Sequence, residues 1–504
     1  VRLPGQMFAA LLLAPRFGAR LISWDETLVQ GMGVRKIVPL IPMHGAASGL
    51  ALVAQSYWQA RRAAQALSPS VTWSEGSRLN SADLSKAQSQ ALDKGGGFVF
   101  WGAGDAASAL AGSSKKISAE YQVPFLAHAT MEPMNCTVHY DGKQAQVHLG
   151  TQVPGLVQAA VAKVLALHKD KVEVQQYYLG GGFGRRLEVD HAAQAAQIAL
   201  ALPGVPVQLI WSREEDMRHD FYRPSALVRL QAGLDKEGNL AAWQVMSTGS
   251  AIVPAYMPRA VGMPLLGPDK TTAEGLFDTA YGIAHTQVSH TVVDSPVPVG
   301  FWRSVGHSHN AFIKESFMDE CAHAAGKDPL AYRMHLLQDR PRERAVLQLV
   351  ADKAGWGKTL PPGRAQGIAL HESFGSVVAQ VVEASISEGR IKVHQVFTAI
   401  DCGLAVNPAG IRQQVEGSVV FALTAALYGR IDIDEGSVRQ SNFHDYPLLR
   451  LSEMPVVDTF IVPSEQAPEG VGEPAVPPVA PALANALFRL HGQRQRQLPL
   501  RASI

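Results

Sequence analysis

Residues Leu179–Arg186 read Leu-Gly-Gly-Gly-Phe-Gly-Arg-Arg, between a strand-like run, Lys171–Tyr178, and an Ala-rich helical run that begins near Glu188. Glycine inside a strand or helix costs roughly 0.5–1 kcal/mol relative to alanine, so Gly180, Gly181, Gly182 and Gly184 have no packing use in either. They suit a turn whose backbone takes left-handed angles or presses against a ligand. Arg185 and Arg186 follow at once, and guanidinium favours bidentate phosphate contact, which predicts an anionic ligand. Alone, the turn admits three readings: a dinucleotide fingerprint, a phosphate loop or a structural turn. The Lys-Ser/Thr ending of a phosphate loop is missing, and no G-x-G-x-x-G opens a βαβ unit.

The 504 residues suffice for two to four domains with sizeable cores. Lys plus Arg number 45 against 44 Asp plus Glu, so the basic excess of a nucleic-acid-binding protein is missing and none is expected as partner. The longest apolar runs, such as Met7–Pro15 and Val419–Tyr428, fall short of the ~18 residues that span a bilayer, so no transmembrane segment is expected. Three cysteines, Cys136, Cys321 and Cys402, stand far apart with no C-x-x-C pair, which disfavours a zinc site or an iron–sulfur cluster built by this chain. The first residue is Val1, so an upstream segment is expected.

Residues 1–75 read as a small α/β unit with strands at Met7–Ala14, Arg20–Trp24, Val34–Leu40 and Leu50–Ala54 and a helix at Ser56–Leu67. Residues 76–117 are polar and Ser/Ala/Gly-rich, which predicts a connector with one or two short helices. A mixed unit follows over 118–356, with helices at Pro154–Leu167, Glu188–Leu202 and His309–Gly326. In the last, Ile313, Phe317, Cys321 and Ala324 mark a buried stripe. Trp356–Arg364 reads as a linker. The unit 364–504 carries a strand pair, Ser376–Ser387 and Ile391–Asp401, helices at Pro408–Tyr428 and Pro478–Leu490, and a basic tail, Arg489–Arg501. The fold class is α/β, mixed with α+β.

Three more stretches carry candidate chemistry. In Gly470-Val-Gly-Glu-Pro-Ala, Glu473 stands between a glycine that admits a ligand and a proline that fixes the turn. A glutamate drawn to the head of a helix by its dipole is the alternative. In Gly300-Phe-Trp-Arg-Ser-Val-Gly-His-Ser-His, Arg303 suits a carboxylate, a phosphate or a polarised oxygen. His307 and His309 have metal-compatible spacing but no third ligand nearby, so polar turn histidines are the better reading. His128 and Glu132 lie four apart in His128-Ala-Thr-Met-Glu-Pro and suggest a structural pair.

The order of these motifs is informative: His128…Glu132-Pro, Thr151-Gln152, Gly180-Gly-Gly-Phe-Gly, Arg303, Asp401-Cys-Gly…Asn407-Pro…Gln414-Val-Glu-Gly and Val471-Gly-Glu-Pro. It resembles the molybdenum-cofactor-binding large subunits of the xanthine oxidase family, and the resemblance covers essentially the whole chain. The phrases Pro124-Phe-Leu-Ala-His-Ala-Thr-Met-Glu-Pro and Gly180-Gly-Gly-Phe-Gly-Arg-Arg-Leu-Glu resemble the branch of isoquinoline 1-oxidoreductase and bacterial membrane-associated aldehyde dehydrogenases. The resemblance implies a hammerhead domain at 1–75 followed by two molybdenum-cofactor-binding domains. It implies molybdopterin cytosine dinucleotide, with oxo, sulfido and hydroxo ligands on a molybdenum held by the pterin dithiolene and by no side chain.

Residue by residue, Glu473 is expected as the catalytic base and Arg303 as the group facing substrate. Cofactor contacts are expected from Gly180, Gly181, Gly182, Phe183, Gly184 and Arg185, with Gln152, Asn407, Gln414 and Gly472. Leu126, Val305 and His128 are expected at the substrate pocket. Two departures bear on specificity. Leu126 stands six before Glu132 where purine-oxidising members have glutamine, and Val305 stands two after Arg303 where they have an aromatic. Both disfavour purines and suit an aldehyde or a small N-heterocycle.

The family's Gly-Gln-Gly segment, a further wall of the cofactor site, is missing from the sequence and is expected upstream of Val1 or on a separate chain. A [2Fe–2S] cluster needs four thiolates, so the electrons are expected to pass to a small ferredoxin-like [2Fe–2S] subunit. A cytochrome c subunit is expected if the enzyme works in the periplasm. The periplasm or the periplasmic face of the inner membrane is the expected location, with the cytoplasm as alternative. A non-catalytic paralogue or assembly partner is the competing class; it would have no need of both Glu473 and Arg303.

Overall fold

The computed structural model describes residues 1–265 and 267–502, so the last two residues of the expected 364–504 unit lie outside the described residues. Three main sheets carry the fold. The first has seven strands in the order Val172–Gln176, Ala145–Leu149, Asn135–Tyr140, Val207–Ile210, Met7–Leu13, Gly49–Ala54 and Val34–Leu40. The second has five, with Phe98–Ala103 at one edge and Lys115–Val123 at the other. The third has four: Arg364–Ser373, Ser376–Ser387, Arg390–Asp401 and Val456–Ile461.

The seven-stranded sheet crosses the boundary expected at residue 75. Met7–Leu13 pairs in parallel with Val207–Ile210 and antiparallel with Gly49–Ala54, so the N-terminal strands complete a sheet begun by residues 135–210. The joining strand is Met7–Leu13: it is largely buried, Gly49–Ala54 takes one of its edges, and Val207–Ile210 satisfies the backbone groups of the other. Residues 76–117 hold more than a connector. They form helices Ser81–Lys94 and Ala106–Gly112 and the strand Phe98–Ala103, which pairs with His285–Val292. The polar surroundings hid an aromatic run, Phe98-Val-Phe-Trp, suited to a pleated edge.

The expected hairpin in the third sheet forms, with Glu388 and Gly389 at φ 52° and 70° in its two-residue turn. Ser376–Ser387 is buried over its first nine positions because helices Pro341–Ala354 and Val479–His491 cover it.

The helix expected at 309–326 spans His307–Ala324, and it is buried all round rather than along one stripe, with every residue from His307 to Ala322 inside. It runs between sheets, and its carboxylates find protein partners. Glu315 Oε2 accepts from Arg333 Nε at 2.9 Å, Tyr281 Oη at 3.1 Å and Leu370 N at 3.2 Å. Asp319 pairs with Arg494 at 2.7 Å and Glu320 with Arg496 at 2.6 Å, so the basic tail docks on this helix.

Arg333 and Glu315 are both 0% exposed. Arg333→Ala leaves the carboxylate buried without its guanidinium, an arrangement that costs about 3–5 kcal/mol. Urea unfolding of the R333A variant is expected to show a loss of that order; a loss under ~1 kcal/mol would contradict the role given to the pair.

Candidate active site

The Gly-rich turn forms where expected, after Val172–Gln176 and before the helix Asp190–Leu200. Phe183 and Gly184 take left-handed angles, φ 55° and 108°. A Cβ at Gly184 would lie 1.6 Å from Phe301 O, so this position takes glycine on both counts. Gln152 sits alongside, its Oε1 accepting from Gly184 N at 3.3 Å. Gly180 N donates to Glu132 Oε2 at 2.9 Å.

The arginine pair does not face a ligand. Arg185 is 1% exposed and Arg186 0%, both beneath the turn. Arg185 forms a two-bond pair with Asp190 at 2.8 and 2.9 Å, approaches Asp220 at 3.2 Å and lies over Trp211 and Phe221. Arg186 ties Gly181 O, Gly150 O and Glu132 together at 2.8, 3.1 and 2.7 Å. These guanidiniums hold the turn's shape through its carbonyls and neighbouring carboxylates, so the Arg185 side chain, expected at the cofactor, is engaged by Asp190 and Asp220 within the protein.

His128 and Glu132 are not paired, because residues 127–134 form no helix and a spacing of four there brings no side chains together. The His128 ring is engaged at both nitrogens, Nδ1 by Asp220 at 2.9 Å and Nε2 by Phe301 O at 2.8 Å. It braces the Gly-rich turn against residue 301 and has no nitrogen left for a substrate. Leu126 is 1% exposed and packs in the main hydrophobic core, not on an open wall.

The opposite wall gathers residues far apart in sequence. Asn407 caps the helix Pro408–Leu427 by accepting from Gly410 N at 3.0 Å. Two turns on, Gln414 Oε1 accepts from Arg303 Nη2 at 3.1 Å, and Arg303 Nε donates to Gly472 O at 2.8 Å. Ser304 N donates to Glu473 Oε1 at 2.8 Å, and Ser304 Oγ donates to Glu473 O at 2.8 Å. Arg303, Gln414, Gly472 and Glu473 thus form one connected constellation. Burial lowers the Arg303 pKa to about 10, with the Glu473 charge opposing the shift.

An aromatic stack joins the two walls. Phe421 lies between Phe183 and Trp302, each ring 4.5 Å away, and the Arg303 guanidinium lies 6.0 Å from the Phe183 ring. Sequence reasoning missed Phe421. Its one signal is its place seven residues after Gln414, on the same helix face. Asp220, which holds both His128 and Arg185, has no local signal at all.

The turn carrying Arg303 is strained. Ser304 and Val305 take φ 74° and 47°, and a β-branched residue in that region is a genuine outlier. Such residues cost of order 1–3 kcal/mol each and persist where the surroundings over-determine them. Val305 stays half-buried two positions from Arg303. Its neighbour His307 is held down to about 4 by burial and bonds His371 at 3.0 Å. No group of three metal-ligating side chains occurs among the described residues.

Gly472 tests whether this wall fits a cofactor. Its φ is not left-handed, and a Cβ there would meet no protein atom closer than Gln414 Oε1 at 3.9 Å. Neither the backbone nor the packing of this chain requires glycine, which fits a position that leaves room for a bound group beside Glu473.

Comparison with known proteins agrees with the geometry. Two models described as molybdopterin cofactor-binding domains match residues 92–337 and 346–455. The beta chain of isoquinoline 1-oxidoreductase from Brevundimonas diminuta is 31% identical over 77% of this chain and 50% of its own length. A membrane-bound aldehyde dehydrogenase (pyrroloquinoline-quinone) of Gluconacetobacter polyoxogenes is 28% identical over 99% of this chain and 68% of its length. A nicotinate dehydrogenase subunit of Pseudomonas putida is 28% identical over 100% of this chain and 44% of its length. The chain therefore spans about half to two thirds of these relatives. Quinoline 2-oxidoreductase from Pseudomonas putida 86 superposes with TM-score 0.81 at 15% identity, covering 99% of this chain and 94% of that one, a likeness of fold. The fold and the site define a molybdopterin-binding subunit. The chain belongs to the molybdenum-cofactor-binding large subunits of the xanthine oxidase family.

Gly472→Ala is expected to leave the thermal unfolding midpoint of the cofactor-free protein unchanged, since the methyl meets open space, while lowering molybdenum content on purification. Full molybdenum loading of G472A would contradict the reading of this glycine.

Proposed function

We propose that the chain is the catalytic subunit of a molybdenum hydroxylase that oxidises an aldehyde to a carboxylic acid or hydroxylates an aromatic N-heterocycle, with water as the oxygen source. The supporting observation is the seating of Glu473 beside Arg303, through Ser304 N to Oε1 and Arg303 Nε to Gly472 O, both at 2.8 Å. The names of the relatives, an aldehyde dehydrogenase, an isoquinoline oxidoreductase and a nicotinate dehydrogenase, favour the same classes of substrate. One of those names carries pyrroloquinoline quinone, whereas the matched domain models are for molybdopterin, and we take the pterin, in its cytosine dinucleotide form, as this chain's cofactor.

The bound cofactor would supply two-electron redox chemistry and deliver the oxygen derived from water. The protein would supply proton handling and charge stabilisation. Glu473 Oε1 is engaged by Ser304 N, so Oε2 is the oxygen that accepts a proton. General-base help of this kind is typically worth ~10²–10⁴-fold. Two nitrogens of Arg303 are engaged by Gly472 O and Gln414 Oε1. Among the described residues Nη1 has no protein acceptor, which leaves it to stabilise charge on a substrate oxygen or ring nitrogen. Fixed donors act best because they need no reorganisation during reaction.

The electrons leave through a partner. Cys136, Cys321 and Cys402 are buried and free, and burial pushes the thiols of Cys136 and Cys321 up, so they are poor thiolate ligands. We assign the acceptor to a ferredoxin-like [2Fe–2S] subunit, with a cytochrome c subunit in a periplasmic assembly, and the Gly-Gln-Gly wall to a domain or chain packed near Gly180–Gly184. No helix among the described residues is long and apolar enough to cross a membrane. The name of the membrane-bound relative supports association with a membrane, and we assign the chain to the periplasmic face of the inner membrane.

Glu473→Gln keeps the shape and removes the base. In the assembled enzyme, turnover is expected to fall at least ~10²-fold with molybdenum retained. An E473Q enzyme with full metal and near-normal kcat would sink the assignment. Substrate class is read by steady-state kinetics with xanthine, benzaldehyde, acetaldehyde and isoquinoline. The aliphatic Val305 predicts the highest kcat/KM for an aldehyde and little turnover of xanthine; a strong preference for xanthine would contradict it.

A further inference from the structure

We propose that Glu274 is a positioning residue for the Arg303–Glu473 pair, holding the strained turn 303–306 at the end away from Arg303. The inference rests on the catalytic reading of Arg303 and Glu473 given above. Glu473 anchors the turn at Ser304 N, and Glu274 Oε1 anchors it again two residues later, accepting from Gly306 N at 2.9 Å. Ser304 and Val305, the left-handed pair, lie between or at these anchors. The turn also closes on itself: Val305 N donates to Trp302 O at 2.6 Å, and Ser308 Oγ donates to Val305 O at 2.7 Å.

Glu274 is itself held firmly. A Cβ on Gly306 would stand 2.1 Å from Thr271 O and 2.8 Å from Glu274 Cγ, so the turn is pressed directly onto the 271–274 segment. Asn310 Nδ2 fixes that segment from the long central helix, donating to Glu274 O at 2.8 Å and Thr272 O at 3.3 Å. Strain in the turn is therefore opposed on one side by the proposed base and on the other by a carboxylate that bonds Gly306 N rather than Arg303 or Glu473. A shift of this turn by an ångström misplaces both Arg303 and the Glu473 carboxylate, and errors of that size can cost ~10²-fold in rate.

The surroundings of Glu274 give it a titration that glutamine lacks. Burial raises its pKa to about 8; the Gly306 N–H opposes the shift and Asp278 adds to it. Lys270 and Asp269 face it from its own segment. From the helix, His307 Nε2 lies 3.9 Å away, with His371 bonded to His307 and the buried Lys314 acting on both histidines. A charged carboxylate is the stronger acceptor for Gly306 N–H, so the turn is held more firmly above pH 8 than below. The folded protein keeps this proton between about 4.5 and about 8 while the unfolded chain releases it, so this group lowers stability as pH rises through that window.

The test compares Glu274→Ala, Glu274→Gln and Glu473→Gln in the assembled enzyme. E274A is expected to lose about ten- to hundredfold in kcat with KM within about threefold and molybdenum retained. E274Q keeps an acceptor oxygen and is expected to recover most of that loss at pH 6–7, without the extra rise in kcat near pH 8. Hydrogen exchange of a peptide covering 303–307 is expected to be faster in E274A, an effect readable without the cofactor. The stability of E274Q is expected to gain on the wild type as pH rises from 5 to 9. If E274A does not fold, the pH profile, exchange and stability slope of E274Q decide. Wild-type kcat, pH profile and exchange in the Glu274 variants, with E473Q inactive, overturn the inference about Glu274. An active, metal-loaded E473Q overturns instead the catalytic reading beneath it.

Discussion

The hydrogen bond from Ser304 N to Glu473 Oε1 is the contact on which the site depends. It joins a turn that leads into the central buried helix to a turn that leads into the C-terminal helix Val479–His491. Both helices belong to the main hydrophobic core, so the geometry between Arg303 and Glu473 is set by packing far from either residue. Loops positioned by a rigid scaffold commonly carry function for this reason. Here the scaffold works unusually close to the chemistry, because Arg303 reaches back to Gly472 O and Gln414 within the same constellation.

Two consecutive strained residues lie at that junction and a third in the Gly-rich turn. Phe183, Ser304 and Val305 all take left-handed angles without being glycine. Each is held by its surroundings: Phe183 by the stack on Phe421, Ser304 by the side chain and backbone carbonyl of Glu473, and Val305 by Trp302 and Ser308. A relaxed turn would point the arginine and the carboxylate elsewhere. The energy held in these angles is compensated by the buried network around them, where Arg185, Asp190, Asp220 and His128 leave few degrees of freedom under the Gly-rich turn.

That network also shows how polar residues serve two ends. The paired arginines after the glycines have the composition of an anion site, yet both are buried and matched by carboxylates and carbonyls. The backbone at the start of the turn, not its guanidiniums, is what the fold presents outward, and Gly182 is already buried. Gly180 is exposed and Gly181 partly so, while Arg185 and Arg186 are closed off below them.

The sequence by itself determined the long elements and the place of the functional turns. Periodicity located the helices near 57–67, 190–200, 408–427 and 479–491, and Gly and Pro marked the turns at 180–184, 303–306 and 470–474, because these signals are local. Motif order located Glu473, Arg303, Gln414 and Gly472, which the fold does bring to one wall. Only the tertiary structure decided where side chains point and which sheet a strand joins. His128 turned to Asp220 rather than Glu132, Leu126 entered the core, Met7–Leu13 joined the strand at Val207–Ile210, and Phe421 became the ring between two walls. Each of those outcomes depends on partners tens to hundreds of residues away. A local pattern records the spacing of a residue along its own element, and it carries no information about the element packed against it.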